Sequence, residues 1–444
     1  MTPDRNSLLR ALEDRFDVLI VGGGATGLGI AVDAATRGYA TALVEAGDFA
    51  QATSSRATKL VHGGVRYLAS GQFHLVYEAL RERATMVRVA PHLVRPLPFV
   101  LPAFRRMELP YYGAGLLVYD WLSGKSTMGP TRILGSAAVA ERIPGIATAR
   151  LAGGVLYHDG QFNDARYALA LARTALDHGA TVINYARCER LIQENGRVAG
   201  AVVRDVESAA EVTVRARVVI NAAGIFSDAV RTLDAPGTAP LLSLSRGSHV
   251  VVEEGVLGGR TALIVPKTND GRVIFAIPWE GRVVIGTTDV PAPESATEPG
   301  HTEEEIDYLL EHIAPYLEKR VERGDVLAVF SGLRPLVHGN SAKTSQLSRE
   351  HTIEMSGTGL ITIAGGKWTT YRRMAQDTVD FAIRHKMLAA AACVTSKTLL
   401  HGAMANAADE YGSDGAEIEA LLEGDARLRQ RLDAALPYTG AQVV

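Results

Sequence analysis

The feature that most restricts the fold of this chain is a glycine pattern at residues 22–27, directly after an apolar run of strand length at residues 16–21. A helix-like stretch follows the glycines, so the order is strand, turn, helix. Gly22 permits a tight turn, Gly24 lets a pyrophosphate approach the backbone, and Gly27 lets the helix pack on the strand. The pattern therefore predicts an α/β, Rossmann-like fold that binds a dinucleotide.

The residues after the glycines extend this prediction. Ala25 and Thr26 begin the helix, whose N-terminus offers amide donors and a positive dipole end to phosphate groups. A second strand-like run at residues 41–44 leads into Glu45, and a carboxylate there can accept hydrogen bonds from both hydroxyls of an adenosine ribose. The same carboxylate disfavours a 2′-phosphate, so FAD or NAD is expected rather than NADP.

The sequence contains a single fingerprint of this kind, whereas an enzyme that holds FAD and NAD on paired nucleotide folds should show two. A later apolar run at residues 218–221 ends instead in Ala222, Ala223 and Gly224. Small residues at a strand end suit the close approach of a sheet to a cofactor, although a tight turn would also explain them. We expect Ala223 and Gly224 to contact the dinucleotide.

Composition and charge limit the classes of function. The chain has 444 residues, of which 47% are hydrophobic, and this is enough for a large core and two or three domains. Its 46 Lys and Arg against 49 Asp and Glu give no global field for nucleic acid. Cys188 and Cys393 are far apart and lack partners at ligand spacing, so we expect neither a disulfide scaffold nor a metal site, in a reducing cytoplasm. No signal peptide or transmembrane helix is expected.

A stretch rich in hydroxyls, glycines and cations at residues 53–68 resembles the corresponding segment of the FAD-dependent glycerol-3-phosphate dehydrogenases, the aerobic, quinone-linked type. These enzymes have a glutathione-reductase and D-amino-acid-oxidase-like fold. The similarity recurs at residues 21–29, 90–93, 246–252, 285–289, 331–336 and 365–372. It spans roughly residues 16–400, which is nearly the whole catalytic unit.

The resemblance implies FAD as the cofactor and assigns further contacts to it. The residues implied are Ser54, Ser55 and Lys59 along the flavin and its phosphates, His62, Gly63 and Gly64 near the isoalloxazine, and Gly366, Lys367 and Thr369 over the pyrimidine end. These positions follow from the resemblance and not from spacing.

The resemblance also implies glycerol 3-phosphate as the substrate. Its phosphate carries about two negative charges, for which the fork of arginine is better suited than lysine. By resemblance Arg66, Arg334 and Arg349 bind this phosphate, with Tyr67 beside them. Short β-branched runs between residues 246 and 289, with a hairpin turn at residues 279–282, predict an antiparallel substrate-binding sheet.

Oxidation of a secondary alcohol requires removal of the hydroxyl proton while hydride passes to flavin N5. His249 and Lys367 are the candidate catalytic residues, together with Arg334. The sequence does not assign the base and the electrostatic role between His249 and Lys367. An isolated histidine is about as often a satisfied core residue as a catalytic one.

The predicted fold class is α/β, with three parts. Residues 16–90, 145–240 and 330–385 form a discontinuous FAD-binding domain, residues 91–144 and 241–329 form a substrate-binding base with an antiparallel sheet, and residues 395–444 form a shortened helical C-terminal cap. The chain stops at Val444, short of the family's usual cap, so we expect either a naturally shortened protein or a fragment. Residues 302–320 predict an amphipathic helix that opens with a capping box and serves packing.

The predicted function is oxidation of sn-glycerol 3-phosphate to dihydroxyacetone phosphate, with electrons passed to a membrane quinone. The alternatives are an oxidase that uses O₂, an amine or amino-acid oxidase, and a flavin-binding protein without turnover. We expect a cytoplasmic protein, peripheral on the cytoplasmic face of the cell membrane, and leave a homodimer open. The basic and apolar residues 91–112 suit an anionic bilayer, and ordinary packing explains them equally well.

Overall fold

The computed structural model describes residues 4–65, 68, 71–124, 128–338, 351–404, 410–434 and 438–442. The strands are β1 (Arg15–Val21), β2 (Thr41–Val44), β3 (Leu60–Val61), β4 (Val94–Ala103), β5 (Arg132–Gly135), β6 (Gly153–Phe162), β7 (Thr181–Ile183), β8 (Ala186–Glu194), β9 (Arg197–Asp205), β10 (Glu211–Asn221), β11 (Leu242–Glu253), β12 (Ala262–Val265), β13 (Ile274–Trp279), β14 (Arg282–Gly286), β15 (Val290–Ala292), β16 (Ala328–Val337), β17 (His351–Met355) and β18 (Ile361–Gly365). The α-helices are Arg5–Ala11, Ala25–Thr36, Phe73–Val89, Glu108–Ser123, Ser136–Arg142, Asp164–Asp177, Ser227–Asp234, Glu303–Ile313, Tyr371–Arg384 and Gly415–Gly424.

The first sheet has β1 near its centre, parallel to both β2 and β10. Its order is β17-β18-β10-β1-β2-β7, and β9 and β8 extend it from β10. Val18 and Ile20 pack into one hydrophobic core, whereas Leu19 and Val21 pack into another on the opposite face. A strand that is buried on both faces needs a continuous apolar run, which explains the sequence of β1. The predicted Rossmann-like part is confirmed.

The second sheet has the order β15-β11-β14-β13-β12-β4-β6-β3, with β16 beside β11 and β5 beside β6. The predicted hairpin joins β13 to β14, and Glu280 (φ 46°) and Gly281 (φ 74°) make its turn. Positive φ at both central residues is the type I′ geometry that matches strand twist. The sheet is mixed rather than wholly antiparallel, because β12 runs parallel to β4.

Strand pairing cuts across the predicted domain boundaries at three places. The strands β3, β6 and β16 pair within the second sheet, although their residues fall largely in the segments that we assigned to the FAD-binding domain. Pairing in a sheet does not by itself set a domain boundary, so the division into domains stays a prediction.

The helix Glu303–Ile313 begins with the predicted capping box of Thr302 and Glu305. It ends earlier than residue 320, since Pro315 lacks the N–H that would continue the helix and a 3₁₀ turn follows. Leu309 and Ile313 pack into the core of the second sheet. The predicted packing role is thus confirmed for the apolar face.

Among the described residues, none of the helices combines the length and the apolar character needed to cross a bilayer. The predicted C-terminal helical segment contributes the helix Gly415–Gly424. Residues next to this helix contact the nucleotide-binding half, since the Arg166 guanidinium lies 4.4 Å from the centre of the Tyr411 ring and pairs with Glu410.

Candidate active site

A cleft of about 820 Å³ opens at the carboxyl ends of β1, β2, β10 and β18. Ligand sites typically enclose about 300–1,000 Å³, and in open α/β sheets they lie at this edge. Most of the predicted nucleotide contacts line the cleft. They are Gly22, Gly24, Ala25, Thr26, Glu45, Ser54, Ala223, Gly224, Gly366 and Lys367.

The glycines of the fingerprint are required by close backbone approach. Gly22 has φ +115°, and a Cβ there would meet the carbonyl oxygen of Ala222 at 2.6 Å. A Cβ on Gly27 would lie 1.9 Å from the carbonyl oxygen of Gly22. No side chain fits at either position, so the strand, the turn and the helix can meet only with glycine. The tight turn brings the N-terminus of the helix Ala25–Thr36 to the cleft, which is the arrangement that suits a pyrophosphate.

Glu45 is held at the carboxyl end of β2 by two backbone amides. Its carboxylate accepts hydrogen bonds from the amides of Gly23, at 2.6 Å, and Gly47, at 2.8 Å. These bonds fix the side chain where it lines the cleft. The position suits recognition of ribose hydroxyls, as the sequence predicted.

The hydroxyl-rich loop closes over the start of the helix Ala25–Thr36. Ser54 accepts a hydrogen bond through Oγ from the amide of Ala25, at 3.0 Å, and its carbonyl oxygen accepts one from Trp368 Nε1, at 2.8 Å. Ser54 therefore joins the N-terminus of this helix to the segment that contains Lys367.

Lys59 follows Ser54 in the same loop. Its ammonium donates to the carbonyl oxygen of Ser55 and to the buried carboxylate of Asp164, each at 2.7 Å. These bonds anchor the loop on the helix Asp164–Asp177. The contact of Lys59 and Ser55 with FAD stays a prediction.

Part of the cleft wall is formed by residues that the sequence analysis did not identify. These residues are Tyr185, Arg187, Cys188 and Glu189. They reach the site because the amide of Tyr185 donates to the carbonyl oxygen of Gly47, at 2.8 Å. No local motif marks them. Burial raises the pKa of the Cys188 thiol to about 12, so it forms a neutral part of the wall.

The segments at residues 62–64 and 365–369 are held together. Thr369 Oγ1 accepts from the amide of His62, at 3.3 Å, and donates to the His62 carbonyl oxygen, at 3.4 Å. The amide of Gly63 donates to the hydroxyl of Tyr119, at 2.7 Å. Tyr119 in turn donates to the buried carboxylate of Asp159. The structure thus brings together the two segments that the resemblance places around the flavin ring.

Arg334 lies on β16 directly before Pro335, which lines the cleft. Its Nη2 donates to Thr287 Oγ1, at 3.0 Å, and to the carbonyl oxygen of Thr288, at 3.1 Å. The guanidinium crosses the backbone of Gly247, where a Cβ would lie 2.2 Å from Nη2. The residue is therefore held in one orientation by its neighbours on β11 and by the segment after β14.

His249 is buried, with only 2% of its surface exposed. Its Nε2 lies 2.9 Å from Thr58 Oγ1, and its ring stacks on Phe330 with 4.6 Å between centres. Burial first, and then the positive charges of Arg334 and Lys59, lower the pKa of His249 to about 3. The imidazole is therefore neutral at pH 7. The predicted residues Arg66, Tyr67 and Arg349 lie outside the described residues.

Comparison with known proteins agrees with this geometry. The model of the family described as FAD dependent oxidoreductase matches residues 17–372. The chain is 45% identical over 418 residues to the mitochondrial glycerol-3-phosphate dehydrogenase of Mus musculus, and 41% identical over 431 residues to that of Schizosaccharomyces pombe. Each match covers 90% of this chain, but 57% and 66% of the two relatives, so the chain spans less than two thirds of their length.

Solved structures show the same relationship. The glycerol-3-phosphate dehydrogenase of Bacillus halodurans, complexed with FAD, superposes with a TM-score of 0.75 at 33% identity, over 96% of this chain and 75% of that one. Glycine oxidase of Geobacillus kaustophilus shares the fold, with a TM-score of 0.61 at 22% identity, over 87% of this chain and 98% of that one. The chain belongs to the FAD-dependent oxidoreductases and, within them, to the group that contains the glycerol-3-phosphate dehydrogenases.

Proposed function

We propose that this protein oxidises sn-glycerol 3-phosphate to dihydroxyacetone phosphate with FAD, and passes the electrons to a membrane quinone. The observation that carries the proposal is Arg334. Its guanidinium is fixed by Thr287 and Thr288, one residue before the cleft-lining Pro335, in a protein whose relatives are named glycerol-3-phosphate dehydrogenases. A fixed arginine fork can donate two parallel hydrogen bonds to a phosphate dianion.

The cleft fits FAD in several respects. Gly22 and Gly24 line the cleft without side chains, the amide end of the helix Ala25–Thr36 would favour the charge of a pyrophosphate, and Glu45 is in place for the ribose. When bound, FAD supplies the hydride acceptor, flavin N5. Lys367, which also lines the cleft, would contribute positive charge near the flavin.

His249 is our candidate for the group that accepts the hydroxyl proton. In the structure its pKa is held at about 3, by burial first and then by the charges of Arg334 and Lys59. A dianionic phosphate on Arg334 would offset the Coulombic part of this effect, because it neutralises that guanidinium. Substrate binding would then raise the pKa of His249 and make it a better base in the complex than in the free protein.

The helix Glu108–Ser123 is our candidate for contact with the membrane. Its exposed side includes Tyr111, at 71%, Leu117, at 57%, and Trp121, at 78% exposed. Arg105 and Arg106, just before the helix, are exposed as well. Apolar residues flanked by cations suit the surface of an anionic bilayer, here the cytoplasmic face.

This placement refines the sequence-based hypothesis about residues 91–112. Phe99 and Leu101, which that hypothesis counted toward the membrane surface, are buried in β4 at 1% and 7% exposure. Ordinary packing therefore explains the first part of the segment. The exposed apolar residues come later, on the helix.

The first test is an anaerobic titration of the purified FAD-containing protein with glycerol 3-phosphate, followed by flavin absorbance. We expect bleaching by glycerol 3-phosphate and none by glycerol or by amino acids. Protein that keeps its FAD and does not bleach would overturn the proposed substrate. Bleaching by an amino acid instead would favour the amino-acid oxidase alternative.

The electron acceptor requires a second measurement. Protein reduced by the substrate is mixed with a soluble quinone or with dissolved oxygen, and reoxidation of the flavin is timed. We expect the quinone to react faster. Equal or faster reaction with oxygen, with hydrogen peroxide formed in step, would favour the oxidase. A solved L-alpha-glycerophosphate oxidase of Mycoplasma pneumoniae shares the fold at 18% identity and does not decide the matter.

A further inference from the structure

Glu305 is a buried carboxylate that the capping box only partly explains. It lies in the first turn of the helix Glu303–Ile313 and is 3% exposed. Its Oε2 accepts from the amide of Thr302, at 3.0 Å, which is the capping contact, and also from Arg246 Nη2, at 2.7 Å. Its Oε1 accepts from Thr288 Oγ1, at 2.7 Å, and from Ser248 Oγ, at 2.9 Å.

Four donors from three different segments therefore converge on one carboxylate. Burial alone would raise the pKa of Glu305, but the hydrogen bonds from Thr288 and Ser248 help to outweigh it, and the pKa is lowered. A carboxylate that accepts two hydrogen bonds on each oxygen uses its full hydrogen-bonding capacity. Glu305 therefore fixes the positions of the four groups that donate to it.

Glu305 is linked to Arg334 through Thr288. Thr288 donates its hydroxyl to Glu305, while its carbonyl oxygen accepts from Arg334 Nη2, at 3.1 Å. The amide of Ser248 donates to Thr288 Oγ1, at 2.8 Å, so the hydroxyl proton of Thr288 is directed to the carboxylate. Ser248 itself directly precedes His249 in β11.

We propose that Glu305 is a positioning residue for the substrate phosphate, which acts by fixing Thr288 and through it the guanidinium of Arg334. The inference rests on the proposed function, because that function assigns the phosphate to Arg334. Glu305 touches neither substrate nor cofactor in this scheme. It lies on a helix whose apolar face serves packing.

The substitution Glu305→Gln tests the chemistry with almost no change in shape. Neither the Arg246 guanidinium nor the Thr302 amide can accept a hydrogen bond, so the amide oxygen of the new side chain must face them. Its NH₂ group then faces Thr288, whose hydroxyl already accepts from Ser248 and loses its own acceptor. The Thr288 oxygen can accept from the new NH₂ group, but its own proton loses the carboxylate. We therefore expect Thr288 to move, and the carbonyl that holds Arg334 to move with it.

Inorganic phosphate is the probe, added to the FAD-containing protein and read by the perturbation of flavin absorbance and by the shift in Tm. We expect Glu305→Gln to weaken phosphate binding about tenfold, as for a lost hydrogen bond to a charged group, with FAD content unchanged. The control is Glu311→Gln, the same chemical change at an exposed position of the same helix. It should bind phosphate as the wild type does.

A double-mutant cycle separates positioning from a general structural effect. If Glu305 acts through Arg334, then Glu305→Gln should weaken phosphate binding less than about threefold in an Arg334→Lys background. Fully additive effects would overturn the inference, as would wild-type phosphate affinity in Glu305→Gln. The pair Thr288→Val and Thr288→Ser gives the same test if Glu305→Gln does not fold, since only valine removes the hydroxyl. Equal phosphate affinity in that pair would also overturn it.

The two proposals fail in different ways. If the wild-type protein binds phosphate but is not bleached by glycerol 3-phosphate, the proposed substrate is wrong. The double-mutant cycle would then still decide the role of Glu305 in phosphate binding. Wild-type protein that is bleached by the substrate but shows no phosphate binding would overturn the positioning role alone.

Discussion

The two ends of the active-site cleft are built in different ways. At the nucleotide end the fingerprint depends on a close approach of main chain that only glycine allows at Gly22 and Gly27, and the carboxylate of Glu45 lines the cleft beside it. At the proposed substrate end, Arg334 donates to Thr287 and Thr288, and Thr288 in turn donates to Glu305. The fingerprint itself is contiguous in the chain, whereas the groups that hold Arg334 come from segments that meet only in the folded protein.

The comparison predicts that a single methyl group at the nucleotide end has the largest effect. In Gly27→Ala the new Cβ would lie 1.9 Å from the carbonyl oxygen of Gly22, and backbone cannot move aside cheaply. We expect loss of FAD and destabilisation of about 3 kcal/mol or more, measured by flavin content and chemical denaturation. The control Gly115→Ala, where an added Cβ meets nothing within 4 Å, should keep both FAD and stability. Retention of FAD by Gly27→Ala would break the comparison.

A side chain at the substrate end should affect catalysis without affecting the cofactor. Arg334→Lys keeps the charge and loses the fork, so we expect kcat/KM for glycerol 3-phosphate to fall about 100-fold. FAD content should be that of the wild type. The matched control is Arg323→Lys, at a half-exposed arginine that pairs with Glu303 and Asp307 on the surface. Loss of FAD in Arg334→Lys would show that the two ends are not separable.

Acid should lower the stability of the folded protein through His249, which lies near Arg334 at the substrate end. Its pKa is about 3 in the folded protein, against 6.5 ordinarily, so between these values the unfolded chain binds a proton that the folded protein refuses. Stability is therefore lost as pH falls from about 6.5 toward 3. We expect the Tm of His249→Phe to fall less steeply than that of the wild type between pH 7 and 5. The exposed His301→Phe should keep the wild-type slope, and an equal slope in His249→Phe would contradict the prediction.

The smallest effect on catalysis is expected at the helix Glu108–Ser123, which packs on the second sheet. We expect Trp121→Ser to reduce binding to anionic vesicles about tenfold, because its indole is 78% exposed. Bleaching by substrate in solution should not change. The control is Leu399→Ser, at a residue that is 59% exposed elsewhere on the surface. Equal loss in both variants would remove the helix from the membrane proposal.

The same contrast explains what could be predicted from the sequence. The predicted strand at residues 41–44 is observed as Thr41–Val44, and the fingerprint glycines Gly22 and Gly24 line the cleft, because strand, turn and helix are neighbours in the chain. Arg187 and Cys188 could not be found this way. They enter the cleft through hydrogen bonds between the segment before β8 and the one after β2.

The convergence of four donors on the buried Glu305 also could not be predicted from the sequence. The sequence identified its capping contact with Thr302, which lies three residues away, but its bonds to Ser248 and Thr288 depend on how β11 and the segment after β14 pack against the helix. The parallel pairing of β12 with β4 was missed for the same reason, since it joins strands that are more than a hundred residues apart.

The helix Glu108–Ser123 carries two constraints on opposite sides. Its outer side exposes Leu117 and Trp121, while Tyr119, between them in sequence, is fully buried and accepts from the amide of Gly63. An α-helix advances about 100° per residue, so one residue inserted before position 117 would carry Tyr119 away from Gly63 and turn the exposed side out of register at once. The orientation of this helix about its axis is therefore fixed for both sides together. Insertions that the exposed side alone would tolerate are excluded because they would displace Tyr119.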